Sequence, residues 1–445
     1  WIWGDTAHTW KNYPPVISDI ADYHTPITLN NTKWDYNATD DFNATDVVNE
    51  MSDNYGLINW SAHGGTHHFQ IHRISSNIPF VCTDGDNTTG WWNGSGDEGN
   101  GLNDMDNYSK PSIVNSVCCD IAAFDDFGDY PDQRSIAEGF TVAYENIGGP
   151  ALIGNTRYGY GDETMKEFYD QISSNIFQIG IIEGIVRDNV SHYMSYSNNL
   201  FGCPETKLWT TTPSEFTNVD ITDNGTSITV NSGVGGCDIC VYDGDNYHEA
   251  KDDVQSHTFD NTTGSEAYYI TITKDNYLPY TAVTGGTFTS DEIWFGNLHV
   301  IDGVSFDSNS KLTINPGTTI KFDGCGLSIL NGSQIVAEGT SDEPIVFTSE
   351  SGTSSGSWNK VRVRTSGNIF KWCQFEYGDW ALHMVGYPSS NNLVKNCTFH
   401  DNDQGIRPEK NAIEIISCNF FDNRHNIVTV NNTQVDIEGC NIYNG

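Results

Sequence analysis

A three-residue motif recurs near the end of the chain, and its spacing restricts the fold more than any other feature of the sequence. It repeats at intervals of 24, 21 and 22 residues, as Cys373-Gln374-Phe375, Cys397-Thr398-Phe399, Cys418-Asn419-Phe420 and Cys440-Asn441-Ile442. A period of about 22 residues with one short strand per repeat is typical of a right-handed parallel β-helix, whose rungs bury their apolar side chains against one another. The repeat therefore predicts a solenoid.

The repeated cysteines occupy the same position on successive rungs, which predicts an internal stack of thiols. Disulfides within the stack are the alternative, because successive rungs are about 4.8 Å apart. Residues 312–322 resemble the entry coils of such solenoids. We assign the right-handed parallel β-helix to residues 287–445 and expect it to be incomplete at its C-terminal end.

Residues 211–286 have a different pattern, with apolar and polar residues alternating along short segments. The segments 227–231 and 268–273 show this period of two and are separated by Gly, Asp and Asn turns. The length and the alternation predict a small all-β immunoglobulin-like sandwich.

Residues 1–210 alternate strand and helix patterns. Apolar runs at 57–60, 112–117 and 150–154 predict buried strands, and a capping box at Ser135 and Glu138 predicts a helix that runs to about Asn146. This rhythm predicts a parallel α/β sheet, in which ligands bind beyond the carboxyl ends of the strands.

Three polar side chains directly follow these predicted strands and are expected at one sheet edge: His63, Cys119 and Asn155. A cysteine peptidase needs a thiolate, a nearby base and two N–H donors for the oxyanion. Cys119 offers the thiol, His63 the imidazole, and the N–H groups of Gly64 and Cys119 the two donors. A histidine before glycine is by itself more often part of a turn, and a cysteine at a strand end is more often buried packing. Together, in this order and about 55 residues apart, the histidine and the cysteine are a far more specific signal of a cysteine peptidase than either residue alone.

These segments resemble the gingipain-type cysteine peptidases. Residues 57–65 (LINWSAHGG) are similar to the histidine motif of that family, and residues 114–124 (VNSVCCDIAAF) to its nucleophile motif. Aligning the aromatic residue at Phe124 makes Cys119 the nucleophile and leaves Cys118 in the strand. Residues 137–140 with 151–156, and residues 199–205, are similar to later segments of the same domain.

The resemblance covers roughly residues 45–285 and implies a caspase-like fold followed by an immunoglobulin-like domain. It implies that Cys119 and His63 are catalytic and that no cofactor is required, and we place Asn155 and Thr156 in the substrate pocket. The sequence departs from the family pattern at Ala122, where glycine is usual, and at Cys203, where an acidic residue is usual. The upstream subdomain, which supplies a carboxylate that orients the histidine, is mostly absent.

The chain is therefore expected to be multidomain: a partial α/β caspase-like domain (1–210), an immunoglobulin-like sandwich (211–286) and a β-helix (287–445). Its leading function is a secreted or cell-surface cysteine endopeptidase acting on proteins or peptides. The alternative is a non-catalytic structural or adhesive surface glycoprotein that retains a peptidase fold. A carbohydrate-active β-helix is a weaker third option, because residues 360–445 show no regular acidic row.

The charge of the chain argues against some classes of partner. A net charge of -38 with a pI near 4.3 argues against nucleic acid and anionic membranes as partners. No stretch is apolar for long enough to span a bilayer.

Asn-x-Ser/Thr sequons are dense, which favours an exported glycoprotein. We predict glycosylation at Asn30, Asn37, Asn43, Asn87, Asn93, Asn107, Asn189, Asn224, Asn261, Asn331 and Asn431.

Metal and redox sites have weaker support. An acidic Gly/Asn-rich insertion predicts structural calcium at Asp84, Asp86 and Asp97, with a bare acidic surface as the alternative. The histidines 63, 67, 68 and 72 lack the glutamate spacing of a metalloprotease, so a solvated loop is favoured over zinc. In the Cys237–Cys240 pair, a local disulfide or a metal clip is favoured over redox function. The 11 cysteines are an odd set, so at least one is free or paired outside the chain.

The ends of the chain suggest a processed or partial product. Trp1 is not an initiator methionine, and Gly445 falls within a repeat. The partners expected on this basis are an upstream fragment of the same precursor and, through the β-helix, further copies of the chain.

Overall fold

The computed structural model describes residues 2–4, 48–49, 51–52, 56–61, 64–70, 80–82, 101–102, 105, 111–125, 134–143, 148–159, 163–211, 213–244, 247–263, 265–386, 391–410, 412–431 and 433–444. The chain forms two compact units, Trp1–Thr212 and Pro213–Gly445. Each is described by itself.

The first unit is built on a five-stranded sheet. Its strands, in spatial order, are β1 (Ile2–Gly4), β2 (Leu57–Ser61), β6 (Ile113–Ser116), β7 (Ala151–Asn155) and β8 (Asn198–Gly202). The first four strands are parallel, and β8 is antiparallel to β7. Both faces of the central strands are covered, which explains why β2, β6 and β7 begin with consecutive apolar residues rather than an alternation of apolar and polar ones. The predicted parallel sheet is therefore confirmed.

Helices and a small second sheet cover this framework. The helices are α1 (Ile136–Glu138), α2 (Glu163–Ser173), α3 (Ile179–Asn189) and α4 (His192–Ser197). An antiparallel sheet consists of β3 (Gly64–Gly65), β4 (His68–Gln70) and β5 (Phe80–Cys82).

The capping box at the start of α1 is confirmed, but the predicted regular helix is not. The Ser135 side chain accepts a hydrogen bond from the Glu138 N–H, and the Glu138 carboxylate accepts one from the Ser135 N–H. After three α-helical residues the chain becomes π-helical over Gly139–Ala143. The Thr141 hydroxyl donates to the Ala137 carbonyl oxygen at 2.7 Å, a side-chain bond of the kind that bends helices.

The second unit begins with two facing antiparallel sheets. One contains β9 (Asp220–Asp223), β10 (Ser227–Asn231) and β13 (Ser256–Asp260). The other contains β11 (Cys237–Tyr242), β12 (His248–Val254), β14 (Tyr269–Thr273) and β15 (Tyr280–Val283). The two sheets share one apolar core. The immunoglobulin-like assignment of this sandwich stays a prediction.

The rest of the second unit is a parallel β-helix with three sheets. The first solenoid sheet contains β18 (Asn297–Val300), β21 (Thr319–Phe322), β24 (Ile345–Ser349), β27 (Cys373–Glu376), β30 (Thr398–His400), β33 (Asn419–Phe421) and β36 (Asn441–Ile442). The second contains β16 (Gly286–Phe288), β19 (Val304–Phe306), β22 (Leu327–Ile329), β25 (Trp358–Val363), β28 (Gly378–Val385), β31 (Gln404–Glu409) and β34 (His425–Ile427). The third contains β17 (Glu292–Trp294), β20 (Lys311–Ile314), β23 (Gln334–Glu338), β26 (Ile369–Lys371), β29 (Asn392–Lys395), β32 (Ala412–Ile416) and β35 (Gln434–Glu438).

The sandwich and the solenoid share a sheet, which the sequence patterns did not indicate. Strand β15 pairs in parallel with β18, so Thr281 lies beside Leu298 and Val283 beside Val300. The last sandwich strand is therefore hydrogen-bonded to the first strand of the first solenoid sheet. In this sheet, the edges of β15 and β18 that face each other are therefore both paired.

Side chains repeat inside the solenoid, as the sequence predicted. The rings of Phe347, Phe375, Phe399 and Phe420 stack with centroids 4.5, 4.8 and 5.0 Å apart. Beside them, the sulfurs of Cys397, Cys418 and Cys440 each accept an N–H from the cysteine one rung earlier. All four repeat cysteines are free, which confirms the thiol stack and excludes the disulfide alternative in this structure.

The predicted local disulfide or metal clip between Cys237 and Cys240 is wrong. Both thiols are free and both residues lie on the extended strand β11. Side chains three positions apart on a strand point to opposite faces, so Cys237 is buried in the core while Cys240 is only half-buried. Among the described residues, no helix is long and apolar enough to cross a membrane.

Candidate active site

The carboxyl ends of β2, β6 and β7 meet at one edge of the first sheet, and Cys119 lies there. Trp60 pairs with Ser116 across β2 and β6, and Val117 donates its N–H to the Trp60 carbonyl oxygen at 3.0 Å. Strand β7 ends at Asn155 on the other side of β6. His63, the predicted base, lies outside the described residues.

The two adjacent cysteines have different surroundings. The Cys118 side chain is fully buried in the core with Ile58, Trp60 and Ile121. Cys119 is only half-buried, and its thiol therefore remains within reach of solvent. A nucleophile must meet its substrate, so this placement favours Cys119.

The segment that follows β7 holds the turn that carries the thiol. The side-chain amide of Asn155 donates to the Cys118 carbonyl oxygen at 3.1 Å. The Asp120 N–H donates to the Arg157 carbonyl oxygen at 3.1 Å, and the Ala122 N–H to the Asn155 carbonyl oxygen at 3.0 Å. Asp120 has a φ of 55°, the left-handed conformation that reverses the chain after the cysteine pair.

Gly159 contacts the sulfur itself. Its N–H donates to the Cys119 Sγ at 3.3 Å, and its carbonyl oxygen lies 3.7 Å from the same sulfur. A Cβ at this position would lie 2.4 Å from the Asn155 side-chain nitrogen and 2.5 Å from the Val117 carbonyl oxygen. Only glycine therefore allows the backbone to come this close to the thiol. The sequence analysis did not single out this residue, although Gly159 and Gly161 form a turn signal shortly after a strand.

The surroundings of the Cys119 thiol favour its protonated form. Burial raises the pKa of Cys119 above its ordinary value, the Gly159 N–H opposes the increase, and the charge of Asp120 adds to it. Nucleophilic attack by this sulfur therefore requires a base that removes its proton. Within the described part of the chain, the Cys119 N–H contacts no acceptor other than its own sulfur. It is thus available to an oxyanion.

Gly64 lies directly against the cysteine turn. A Cβ on Gly64 would be 2.6 Å from the Cys119 carbonyl oxygen and 2.9 Å from the Cys118 Cβ. The glycine is therefore required for close packing of β3 on this turn, whatever further role its N–H has. Its predicted role as an oxyanion donor stays a prediction.

Asn155 and Thr156, predicted to line the substrate pocket, are buried. The Asn155 oxygen accepts a hydrogen bond from the Asn198 side chain at 3.2 Å, and the Thr156 hydroxyl donates to the Ser197 carbonyl oxygen at 3.1 Å. This placement favours a role in positioning the Cys119 turn. The exposed residues of the same segment are Tyr158 and Arg157, and the Arg157 guanidinium forms a two-pronged ion pair with Asp125.

The histidine-rich loop is described only in part. Burial, with a smaller effect of His67, lowers the pKa of His68 to about 4, so its ring is neutral at neutral pH. His67 contacts the Arg134 carbonyl oxygen through Nδ1 at 3.0 Å. In the part of the chain that the structure describes, no group of three or more His, Cys, Asp or Glu side chains is placed to hold a metal. The remaining loop and calcium residues lie outside it, namely His72, Asp84, Asp86 and Asp97.

Five of the predicted glycosylation asparagines are described, and all five are exposed: Asn189, Asn224, Asn261, Asn331 and Asn431. A glycan needs such access, but modification itself stays a prediction. The other six sequon asparagines lie outside the described residues, namely Asn30, Asn37, Asn43, Asn87, Asn93 and Asn107.

Three family models match segments of the chain. Peptidase family C25, the gingipain family, matches residues 6–209. A pectate-lyase like beta helix domain matches residues 286–373, and a right handed beta helix region matches residues 345–445. The gingipain-type resemblance and the β-helix predicted from the sequence are thereby confirmed.

Other similarities are weak. A solved structure described as "Structure of Protease" shares 15% sequence identity with the chain at a TM-score of 0.41, over 63% of this chain and 66% of that one. At that TM-score the likeness defines neither fold nor activity. No curated protein matches the chain.

Proposed function

We propose that this chain, whose residues 6–209 match peptidase family C25, is a cysteine endopeptidase with Cys119 as nucleophile and His63 as its acid–base partner. The observation that carries the proposal is the half-buried Cys119 thiol at the carboxyl edge of a parallel sheet, held by the Gly159 N–H at 3.3 Å. Gly64, which packs on the Cys119 backbone, directly follows His63 in the sequence. A histidine at that place suits the chemistry that Cys119 needs.

The reaction proceeds in two halves. The Cys119 sulfur attacks the scissile carbonyl carbon as its proton passes to a base, and the carbonyl oxygen becomes an oxyanion that accepts the Cys119 N–H. Protonated His63 then gives a proton to the leaving amine, the C–N bond breaks, and a thioester remains. Water, deprotonated by His63, attacks the thioester and releases the carboxylic acid and the thiol.

The Cys119 sulfur needs a base, because burial raises the pKa of its thiol. We expect Cys119→Ala to abolish both peptide hydrolysis and labelling by a thiol-reactive peptide probe. Cys118→Ala is the matched control, since that side chain is fully buried in the core and out of reach of substrate. His63→Ala should lower kcat while leaving the fold intact.

The decisive measurement locates the label by mass spectrometry. Labelling of Cys119 in an active preparation supports the proposal. Labelling that survives Cys119→Ala, or hydrolysis that does, contradicts it. Comparing the far-ultraviolet circular dichroism of each variant with the parent chain distinguishes lost chemistry from lost folding.

We further propose that the enzyme acts outside the cell or at its surface on protein or peptide substrates. The exposed sequon asparagines and the net charge of -38 support export. Deglycosylation of the protein purified from its own source, followed by intact mass measurement, tests this. A mass that does not change would contradict the glycoprotein assignment.

The alternative is a non-catalytic surface protein, which is compatible with the partial burial that raises the pKa of the Cys119 thiol. A reactive cysteine usually has a lowered pKa. The same labelling experiment separates the two functions, because a folded chain whose Cys119 reacts no faster than the exposed Cys203 would be a scaffold.

A further inference from the structure

Cationic side chains gather on the outer face of the second solenoid sheet. Lys360 on β25 lies beside Trp380 on β28, and Arg362 on β25 is in register with His383 on β28 and Arg407 on β31. The residues that alternate with them point into the core, so these side chains face outward. We call Lys360, Arg362 and Arg407 the cationic cluster.

Trp380 holds two members of the cluster in place, Lys360 and Arg407. The Lys360 Nζ lies 3.7 Å from the centre of a Trp380 ring, and the Arg407 guanidinium carbon lies 4.1 Å from it. Cation–π contacts of this length fix long side chains that would otherwise move freely. The charges of Lys360 and Arg407 are therefore placed before any ligand arrives.

These cations lack anionic partners. The chain has 59 acidic and 21 basic residues, yet in its described part none of the three forms a salt bridge. The Nε atoms of Arg362 and Arg407 are buried without a hydrogen-bond partner. Native proteins leave few buried donors unpaired, so each such donor calls for an explanation.

The nearby carboxylates offset the cluster only in part. Glu409 accepts hydrogen bonds from His383 Nε2 at 3.3 Å and from the Asn431 side chain at 3.0 Å. Burial raises the pKa of Glu409, but these hydrogen bonds and the charges of His383 and Arg407 outweigh burial and lower it. Burial lowers the pKa of Lys360, and the charge of Asp379 opposes this while Arg362 and Arg407 add to it. Three cations and two carboxylates leave a local positive charge on a strongly negative protein.

We propose that the cationic cluster binds an oxyanion, namely a carboxylate, sulfate or phosphate group. Guanidinium groups bind such groups through two parallel N–H donors, and Arg362 and Arg407 approach from two rungs apart with His383 between them. Lys360 supplies the third charge. The oxyanion is either a free ion or a group carried by an acidic polymer, and both sources offer the same chemistry to the cluster.

The test is a calorimetric titration of the full chain with inorganic sulfate and inorganic phosphate at constant ionic strength. The parent chain should bind at least one of them, and Arg362→Gln and Arg407→Gln should each weaken binding by roughly tenfold or more, the size expected for a charge-assisted hydrogen bond. Arg424→Gln is the matched control, because that exposed arginine is on the same solenoid but pairs with Asp403. It should leave binding unchanged.

A second arm identifies the source of the anion. The site is assigned to a polymer if a sulfated polysaccharide or polyglutamate binds more tightly than the free ions. This tighter binding must also be lost in Arg362→Gln and Arg407→Gln. Equal affinity assigns it to the free ion. If a glutamine variant fails to fold, Arg362→Lys, which keeps the charge and loses the paired donors, should still weaken binding. No binding to the parent chain by either class, or an equal loss in Arg424→Gln, would overturn the proposal.

Discussion

Replacing Gly159 by alanine should slow the reaction of the Cys119 thiol without unfolding the domain. A Cβ at this position would lie 2.5 Å from the Val117 carbonyl oxygen, while ordinary contacts begin at 3.4 Å, so the segment must retreat by about 0.9 Å. The N–H to sulfur distance would then grow from 3.3 Å to about 4.2 Å, beyond hydrogen-bonding range. A hydrogen bond to a charged group contributes about 1.5–3 kcal/mol, and each 1.4 kcal/mol is a factor of ten.

The expected result is a fall of roughly tenfold or more in the rate at which iodoacetamide alkylates Cys119 at pH 7. The rate should fall rather than rise, because the hydrogen bond from the Gly159 N–H lowers the pKa of the Cys119 thiol. Loss of that hydrogen bond raises the pKa and leaves less of the reactive thiolate. The alkylation profile should therefore move to higher pH, and raising the pH should restore the rate.

The matched control is Gly184→Ala in α3. A Cβ there meets nothing within 4 Å, and alanine stabilises a helix by about 1 kcal/mol relative to glycine. Cys119 alkylation should be unchanged in this variant. An unchanged pH profile in Gly159→Ala, with the melting temperature of the parent chain, would refute the idea that Gly159 tunes the thiol.

Three stability predictions concern buried groups. Burial raises the pKa of Glu183 from 4.5 to about 8, so the folded chain keeps a proton that the unfolded chain loses, and stability falls as pH rises through this window by up to about 5 kcal/mol. In Glu183→Gln, the free energy of unfolding measured in urea should no longer fall with pH in this window. A fall equal to that of the parent chain would show that the Glu183 carboxyl is ionised in the folded chain. Phe399→Ala removes a buried ring stacked between Phe375 and Phe420 and should cost about 3–5 kcal/mol, whereas a loss below about 1 kcal/mol would mean that the solenoid core relaxes around the gap. Asn402→Ala leaves the Gly378 N–H and the Phe375 carbonyl oxygen unpaired, and urea unfolding should show a loss of roughly 2–5 kcal/mol unless water replaces the amide.

Periodic and local features were readable from the sequence. The Cys-x-Phe repeat predicted the solenoid because each rung must bury the same position against its neighbour, and the stacked phenylalanines and thiols confirm it. The apolar runs before His63, Cys119 and Asn155 predicted strands for the same reason, since a strand buried on both faces has no polar alternation. The capping box at Ser135 was equally local.

Contacts between segments distant in the chain were not readable. Cys118 and Cys119 are chemically identical in sequence, and only the packing of the turn buries one sulfur and leaves the other reachable. The Gly159 N–H reaches that sulfur from 40 residues away.

The same limit applies to the second unit. The pairing of β15 with β18, which joins the sandwich to the solenoid, has no local signal. The cationic cluster also depends on strand register, which places Arg362, His383 and Arg407 side by side from three separate rungs. The sequence by itself determined which segments become strands and which side chains carry chemistry. The tertiary structure alone decided which of those side chains meet, because a chain folds distant residues together through the packing of the whole domain rather than through any local preference.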